Sequence, residues 1–175
     1  MATGLFKTAA GVVEQKTLEE EADGLRAYLT VRLRSARAAS DALGAIAEQL
    51  EQGPGAAGAP SRRAALFLAA RNQAEYEKLF GEVGTPGGAV PWAPPPPGRP
   101  VGWSEAIDEL RRAIGDDEAE LLELHHARNV RGFDLAFVLG TDVETIERRL
   151  EAAEGFAKLL LRDVADVGPK GLKEL

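Results

Sequence analysis

The chain contains no cysteine, only two histidines, and few aromatic residues, 6% of the total. Without cysteine, disulfides and thiolate metal sites are excluded, and the composition fits a reducing compartment. The two histidines, His125 and His126, are adjacent. Neighbours on an α-helix project about 100° apart, and no third ligand follows at helical spacing, so the expectation is no metal and no cofactor. Basic residues are also in deficit. Twenty-one Lys and Arg stand against 28 Asp and Glu, a formal charge of -7, which repels phosphate backbones and anionic membranes. No apolar run approaches membrane-spanning length, and the first residues, MATGLFKTAAGVVEQ, are broken by Glu14 and too weak for a secretory signal. The expectation is a soluble, cytoplasmic protein. No serine, histidine and acid form a catalytic set, so neither an enzyme nor a small-molecule substrate is expected. The glycine run GEVGTPGG leads into VPWAPPPP instead of a helix start, which makes it linker and not a phosphate loop.

What the chain does have is helical periodicity. Leu18, Ala22, Leu25, Leu29, Leu33 and Ala36 recur at steps of three and four, with Thr17 and Glu20 placed as a capping box. A second helix is predicted from Ser40 or Asp41, with Leu43, Ile46 and Leu50 on one face, ending at Gly53-Pro54. Pro60-Ser61 opens a third, whose inward stripe is Leu66, Ala69, Ala70, Tyr76 and Phe80. Gly81 to Gly102 is rich in glycine and proline, flanked by Trp92 and Trp103, and favours extended polyproline conformation. Beyond it, Ser104 caps SEAIDELRRAI, Asp116 or Asp117 caps a helix through LLELHHAR, and a short helix covers Gly132 to Val138. The last helix runs from Asp142 to Arg162 with Val143, Ile146, Leu150, Ala153, Ala157 and Leu160 inward. No strand alternation competes. The expected fold is therefore all-α: two small helical bundles joined by a Pro/Gly-rich linker, the second containing a helix-turn-helix.

That motif is DLAFVLGTDVETIERRL, Asp134 to Leu150, with its turn at Gly140. The second helix of such a unit usually reads DNA. Here it carries Asp142, Glu144, Glu147, Glu151 and Glu154 against Arg148 and Arg149, the wrong balance for a polyanion.

Taken together, two helical bundles on a linker, the second ending in DLAFVLG and TIERRL, resemble the extracytoplasmic-function (ECF) type sigma factors of bacterial RNA polymerase. Leu135, Ala136, Leu139, Gly140, Thr145, Ile146, Arg149 and Leu150 match the family's E-I-A-x-x-L-G and T-V-x-x-R-L patterns. In the first bundle, ASDALGAIAEQL and LFLAARNQAEYEKLF keep Asp41, Ala70, Arg71, Asn72 and Ala74 in the family's order. The resemblance implies an N-terminal extension over 1–16, a domain resembling sigma region 2 over 17–81, a linker over 82–103, a domain resembling sigma region 4 over 104–165, and a tail over 166–175.

It also assigns roles. Arg71, Asn72, Tyr76, Thr145, Arg148 and Arg149 fall at DNA-binding positions, and Asp41, Leu43, Ile46 and Leu50 at the polymerase-docking face. The departures from the family fall on polar contacts. Gly44 and Ala45 replace a Gln and a Glu, Glu75 and Glu77 sit where the melted strand wants a positive groove, and Glu147, Ala152 and Glu154 replace basic residues that supply phosphate affinity. The resemblance therefore implies a regulator that works chiefly through protein contacts, on RNA polymerase core or an anti-sigma factor, with weak promoter binding. An active, divergent ECF sigma factor and a helical scaffold unrelated to transcription remain as alternatives.

Overall fold

The computed structural model describes residues 7–52, 58–80 and 103–161, with side chains over 18–49, 58–80 and 107–159. Every regular element among them is helical. The chain divides into two compact units, Met1–Gly84 and Thr85–Leu175. The proline-rich stretch with Trp92, the side chains of Leu50, Trp103, Ser104 and Leu160, and the tail lie outside the described residues.

The first unit consists of α1 (Lys7–Leu33), α2 (Ala36–Gln52) and α3 (Arg62–Phe80), each packed on the other two. α1 starts ten residues before the expected capping box, so Thr17 lies inside the helix, and the stretch expected as an N-terminal extension is largely α1. It ends at Leu33 because Arg34 adopts a left-handed backbone (φ 54). Ser35 then starts α2, its hydroxyl accepting the Ala38 amide at 3.2 Å, four residues earlier than expected. Ala36, expected to continue the α1 stripe, is instead exposed at the start of α2. Ser61 does the same for α3, accepting the Ala64 amide at 3.0 Å, and satisfies a backbone donor that a helix start otherwise leaves unpaired.

The core of this unit is built from Leu25, Tyr28, Leu29 and Leu33 of α1, Ala39, Ala42 and Ile46 of α2, and Leu66, Phe67, Ala70 and Ala74 of α3. The alanines let the helix backbones approach closely around two aromatics, Tyr28 and Phe67, which meet edge to face at 5.9 Å. The expected α3 stripe holds at Leu66 and Ala70 and fails at its end: Tyr76 and Phe80 are 57% and 73% exposed. Helical periodicity assigns a residue to one side of the helix, but Ala74 is the last position at which α1 and α2 cover that side.

The second unit contains α4 (Trp103–Ile114), α5 (Asp116–Leu122), a π-helical turn (Glu123–Ala127), α6 (Gly132–Leu139) and α7 (Val143–Leu161). α5 packs on α4 and α7, α6 on α7, and α4 on α7. Gly115, not an aspartate, precedes α5, and Asp116, Asp117 and Glu118 form its first turn, where the positive end of the helix dipole favours acids. Leu110, Leu121, Leu122, Leu124, Leu135, Val138, Ile146, Ala153 and Ala157 are among the buried core side chains. Leu150 and Val143, expected inward, are half-buried.

The turn between α6 and α7 is built as its glycine requires. Gly140 sits at φ 66, its amide donates to the Phe137 carbonyl at 3.2 Å, and the Thr141 amide reaches back to Ala136 at 3.0 Å. These paired bonds close a helix with a left-handed residue after its end. A Cβ at Gly140 would meet nothing within 4 Å, so the cost of a side chain there is backbone strain alone. Gly140→Ala is expected to destabilise by about 1 kcal/mol and Gly140→Asn by less, measured by urea denaturation. An Ala variant as stable as the parent would mean that the turn has another conformation.

Candidate partner-binding surface

On α7, the first residues are fixed by a cap. Asp142 accepts the Thr145 amide through Oδ1 and the Thr145 hydroxyl through Oδ2, both at 2.8 Å. These two hydrogen bonds, backbone first, hold the Asp142 carboxyl below the usual carboxylate range. Arg148 in turn donates to the Thr145 hydroxyl at 3.3 Å. Thr145, expected to reach DNA, thus serves the helix start.

Arg149 is likewise engaged. Its guanidinium contacts the Glu118 carboxylate of α5 at 3.0 Å, which ties α7 to α5. Glu154 is not a free acid of the outer face: its Oε1 lies 3.1 Å from His126 Nε2. Of the five acids that made this helix puzzling, Asp142 caps the helix start, and Glu144, Glu147 and Glu151 are exposed along its outer face. Beyond them the exposed surface of α7 becomes apolar at Phe156 and Leu159, 61% and 66% exposed. The outer face of α7 is therefore anionic in its first half and apolar in its second, with Arg148 and Lys158 as its exposed cations.

The predicted contact residues of the first unit separate in the same way. On α2, Asp41 is exposed and 4.0 Å from Arg37, and Leu43 is half-buried. Ile46, however, is fully buried. It belongs to the core, which removes it from any docking face in this conformation. On α3, Asn72 and Tyr76 are exposed one turn apart, and Arg71 is half-buried. Tyr76 stacks on Phe80 with ring centres 5.2 Å apart, so with Leu79 an aromatic and aliphatic patch closes the C-terminal end of α3. Glu75, read in the sequence as an obstacle to nucleic acid, is a partner of Arg32, whose side chain is buried. Lys78 adds a second contact at 3.2 Å. Partial burial opposes ionisation of Glu75, but Lys78 and Arg32 outweigh it and hold its carboxyl below the usual range. Arg32 of α1 is consequently internal.

Sequence reasoning missed the ionic cluster inside the second unit. Glu123 is fully buried, with Arg128 at 3.2 Å and Arg111 at 3.9 Å, and Arg111 also reaches Asp116 at 2.8 Å. A signal was present: Glu120 and Glu123 interrupt the run ELLEL three residues apart, on the side of the helix that the same run buries. It missed the π-helical turn as well. There the Arg128 amide bonds to Glu123 five residues back, at 3.1 Å, and the Val130 amide to Leu124 at 2.9 Å. This turn brings the rings of His125 and His126 to 4.6 Å, edge to face. Burial, followed by the charges of His126 and Arg131, pushes the His125 imidazole below its ordinary pKa against the pull of Glu154.

No helix among the described residues is long and apolar enough to cross a membrane. No protein-family model matches the chain, and neither the curated proteins nor the solved structures provide a match.

Proposed function

We propose that the protein is an ECF-sigma-factor-like transcription regulator that acts by protein contact, on core RNA polymerase or on an anti-sigma factor, with little affinity for promoter DNA. The observation that carries this reading is the outer face of α7. In a DNA-reading unit that face supplies cations to phosphates, and each neutralised phosphate adds salt-dependent affinity. Here Glu144, Glu147 and Glu151 occupy it, Arg149 is held by Glu118, and exposed Phe156 and Leu159 offer area that a protein groove, not a duplex, would cover. The exposed end of α3 supplies a second apolar patch of the same kind in the other unit.

The test combines capture with DNA binding. The full chain is expected to retain core polymerase or an anti-sigma factor in a pull-down and to give no promoter-specific run-off transcript. Reversing Glu144, Glu147 and Glu151 to lysine is expected to raise DNA affinity at least about tenfold at 50 mM salt and to steepen its salt dependence. Promoter-specific initiation by the unaltered chain would make it an active sigma factor instead. Failure to bind either protein would leave a helical scaffold.

A further inference from the structure

We propose that His125, His126 and Glu154 form a binding site for one borderline divalent transition-metal ion of the zinc class. One ring nitrogen from each histidine and one carboxylate oxygen of Glu154 all lie within 4.8 Å of one another, and the His126–Glu154 pair is already at 3.1 Å. Ligands on a tetrahedral zinc ion with bonds of about 2.0–2.2 Å stand roughly 3.4 Å apart. The widest pair therefore needs to close by about 1.4 Å, within reach of side-chain rotation.

The objection from the sequence, that adjacent histidines diverge on a helix, holds for α-helical geometry. Here the backbone is π-helical over Glu123–Ala127, a wider turn in which successive side chains diverge less, and such turns recur at functional sites. The acid comes from α7, 28 residues away from His126, so the site is assembled by the fold. His125 Nδ1 is buried without a hydrogen-bond partner, an arrangement that costs free energy unless something fills it.

The donor set defines the ion. Two imidazoles with one carboxylate suit zinc, cobalt and related ions, whereas magnesium and calcium require mainly oxygen ligands. Three protein ligands leave a fourth position for water or an exchangeable group. Arg131 acts on His125 electrostatically, which makes the affinity modest. Bound metal would link the π-helical turn to the middle of α7, independently of whether α7 meets a transcription partner.

The chain carries no other histidine and no cysteine, so the experiment is unusually clean once any affinity tag is removed. The full chain, stripped with chelator, is titrated with cobalt(II) and with zinc(II). The expected result is visible ligand-field absorption saturating at one cobalt per chain and bleached by zinc, with both imidazole proton resonances perturbed together. Melting temperature is expected to rise by roughly 5–10 °C at ten times the dissociation constant. His126→Ala and Glu154→Gln are expected to lose the cobalt spectrum, and Glu151→Gln, one turn away on the exposed face, to keep it. The imidazole resonances are read on the unaltered chain, so the test survives a variant that fails to fold. Absence of any spectral change at millimolar cobalt, equal binding of magnesium, or binding that persists in a folded Glu154→Gln variant each overturns the site.

Discussion

Glu123→Ala is expected to destabilise the second unit by about 3–5 kcal/mol, the cost of removing one partner from a buried ion pair. Glu123 has no solvent exposure, and the Arg111 and Arg128 side chains are 8% and 12% exposed. With the carboxylate gone, the Arg111 and Arg128 guanidiniums, 3.9 Å and 3.2 Å from it, lose its compensating charge in a low-dielectric interior, where like charges are poorly screened. Arg111 retains Asp116 at 2.8 Å, which places the expected loss toward the lower end of that range. Glu123→Gln keeps the shape and an acceptor for Arg128 and is expected to cost less. Urea denaturation followed by circular dichroism measures both, with the midpoint falling and the slope unchanged if only stability has moved. A loss below about 1 kcal/mol, the range of exposed pairs, would show that water reaches the cluster. The cluster is not thereby a net source of stability, since well-packed apolar replacements for buried ion pairs are often neutral or better. Its effect is conditional: once one charge is buried, the others are required.

That conditionality explains which parts of the molecule the sequence made legible. Helix starts are set by local chemistry: α3, α6 and α7 begin within one residue of Ser61, Gly132 and Asp142, and α6 ends at Leu139, capped by Gly140. The junction of α1 and α2 has no glycine or proline, and Arg34 takes the left-handed conformation that a glycine would have announced. Charge pattern gave the sign of each face but not its pairing. Glu75, Glu154 and Arg149 all looked like surface charges and all contact another helix. These pairings join residues 28 to 43 positions apart, a separation at which periodicity carries no information. The π-helical turn was invisible for a related reason: nothing in ELHHA marks an i→i+5 bond, and packing decides it.

Phe67→Ala is expected to cost the first unit about 3–5 kcal/mol. Phe67 is fully buried at the meeting point of α1 and α3, edge-on to Tyr28 at 5.9 Å, with the Arg63 guanidinium 5.7 Å from its ring centre. The same small core also contains Ala39, Ala42, Ala64, Ala70 and Ala74. Alanines have no side chain to swing into a cavity, so the void relaxes little and the full penalty is expected. A unit confined to Met1–Gly84 has a stability on the order of 0.05–0.15 kcal/mol per residue, so the loss removes a large share of it, and the melting temperature of this unit is expected to fall by roughly 15–40 °C. Phe67→Leu preserves most of the volume and is expected to cost less than about 1.5 kcal/mol. A double-mutant cycle with Tyr28→Leu isolates the ring-ring contact, expected at about 0.5–1.5 kcal/mol. If Phe67→Ala instead cost under 1 kcal/mol, the three helices would be packed too loosely to present a fixed surface. The distinction bears on the proposed function, because Asn72, Tyr76, Leu79 and Phe80 project from the helix that Phe67 anchors. Losing partner capture in Phe67→Ala but not in Phe67→Leu would show that docking needs the bundle intact, with no contact residue altered.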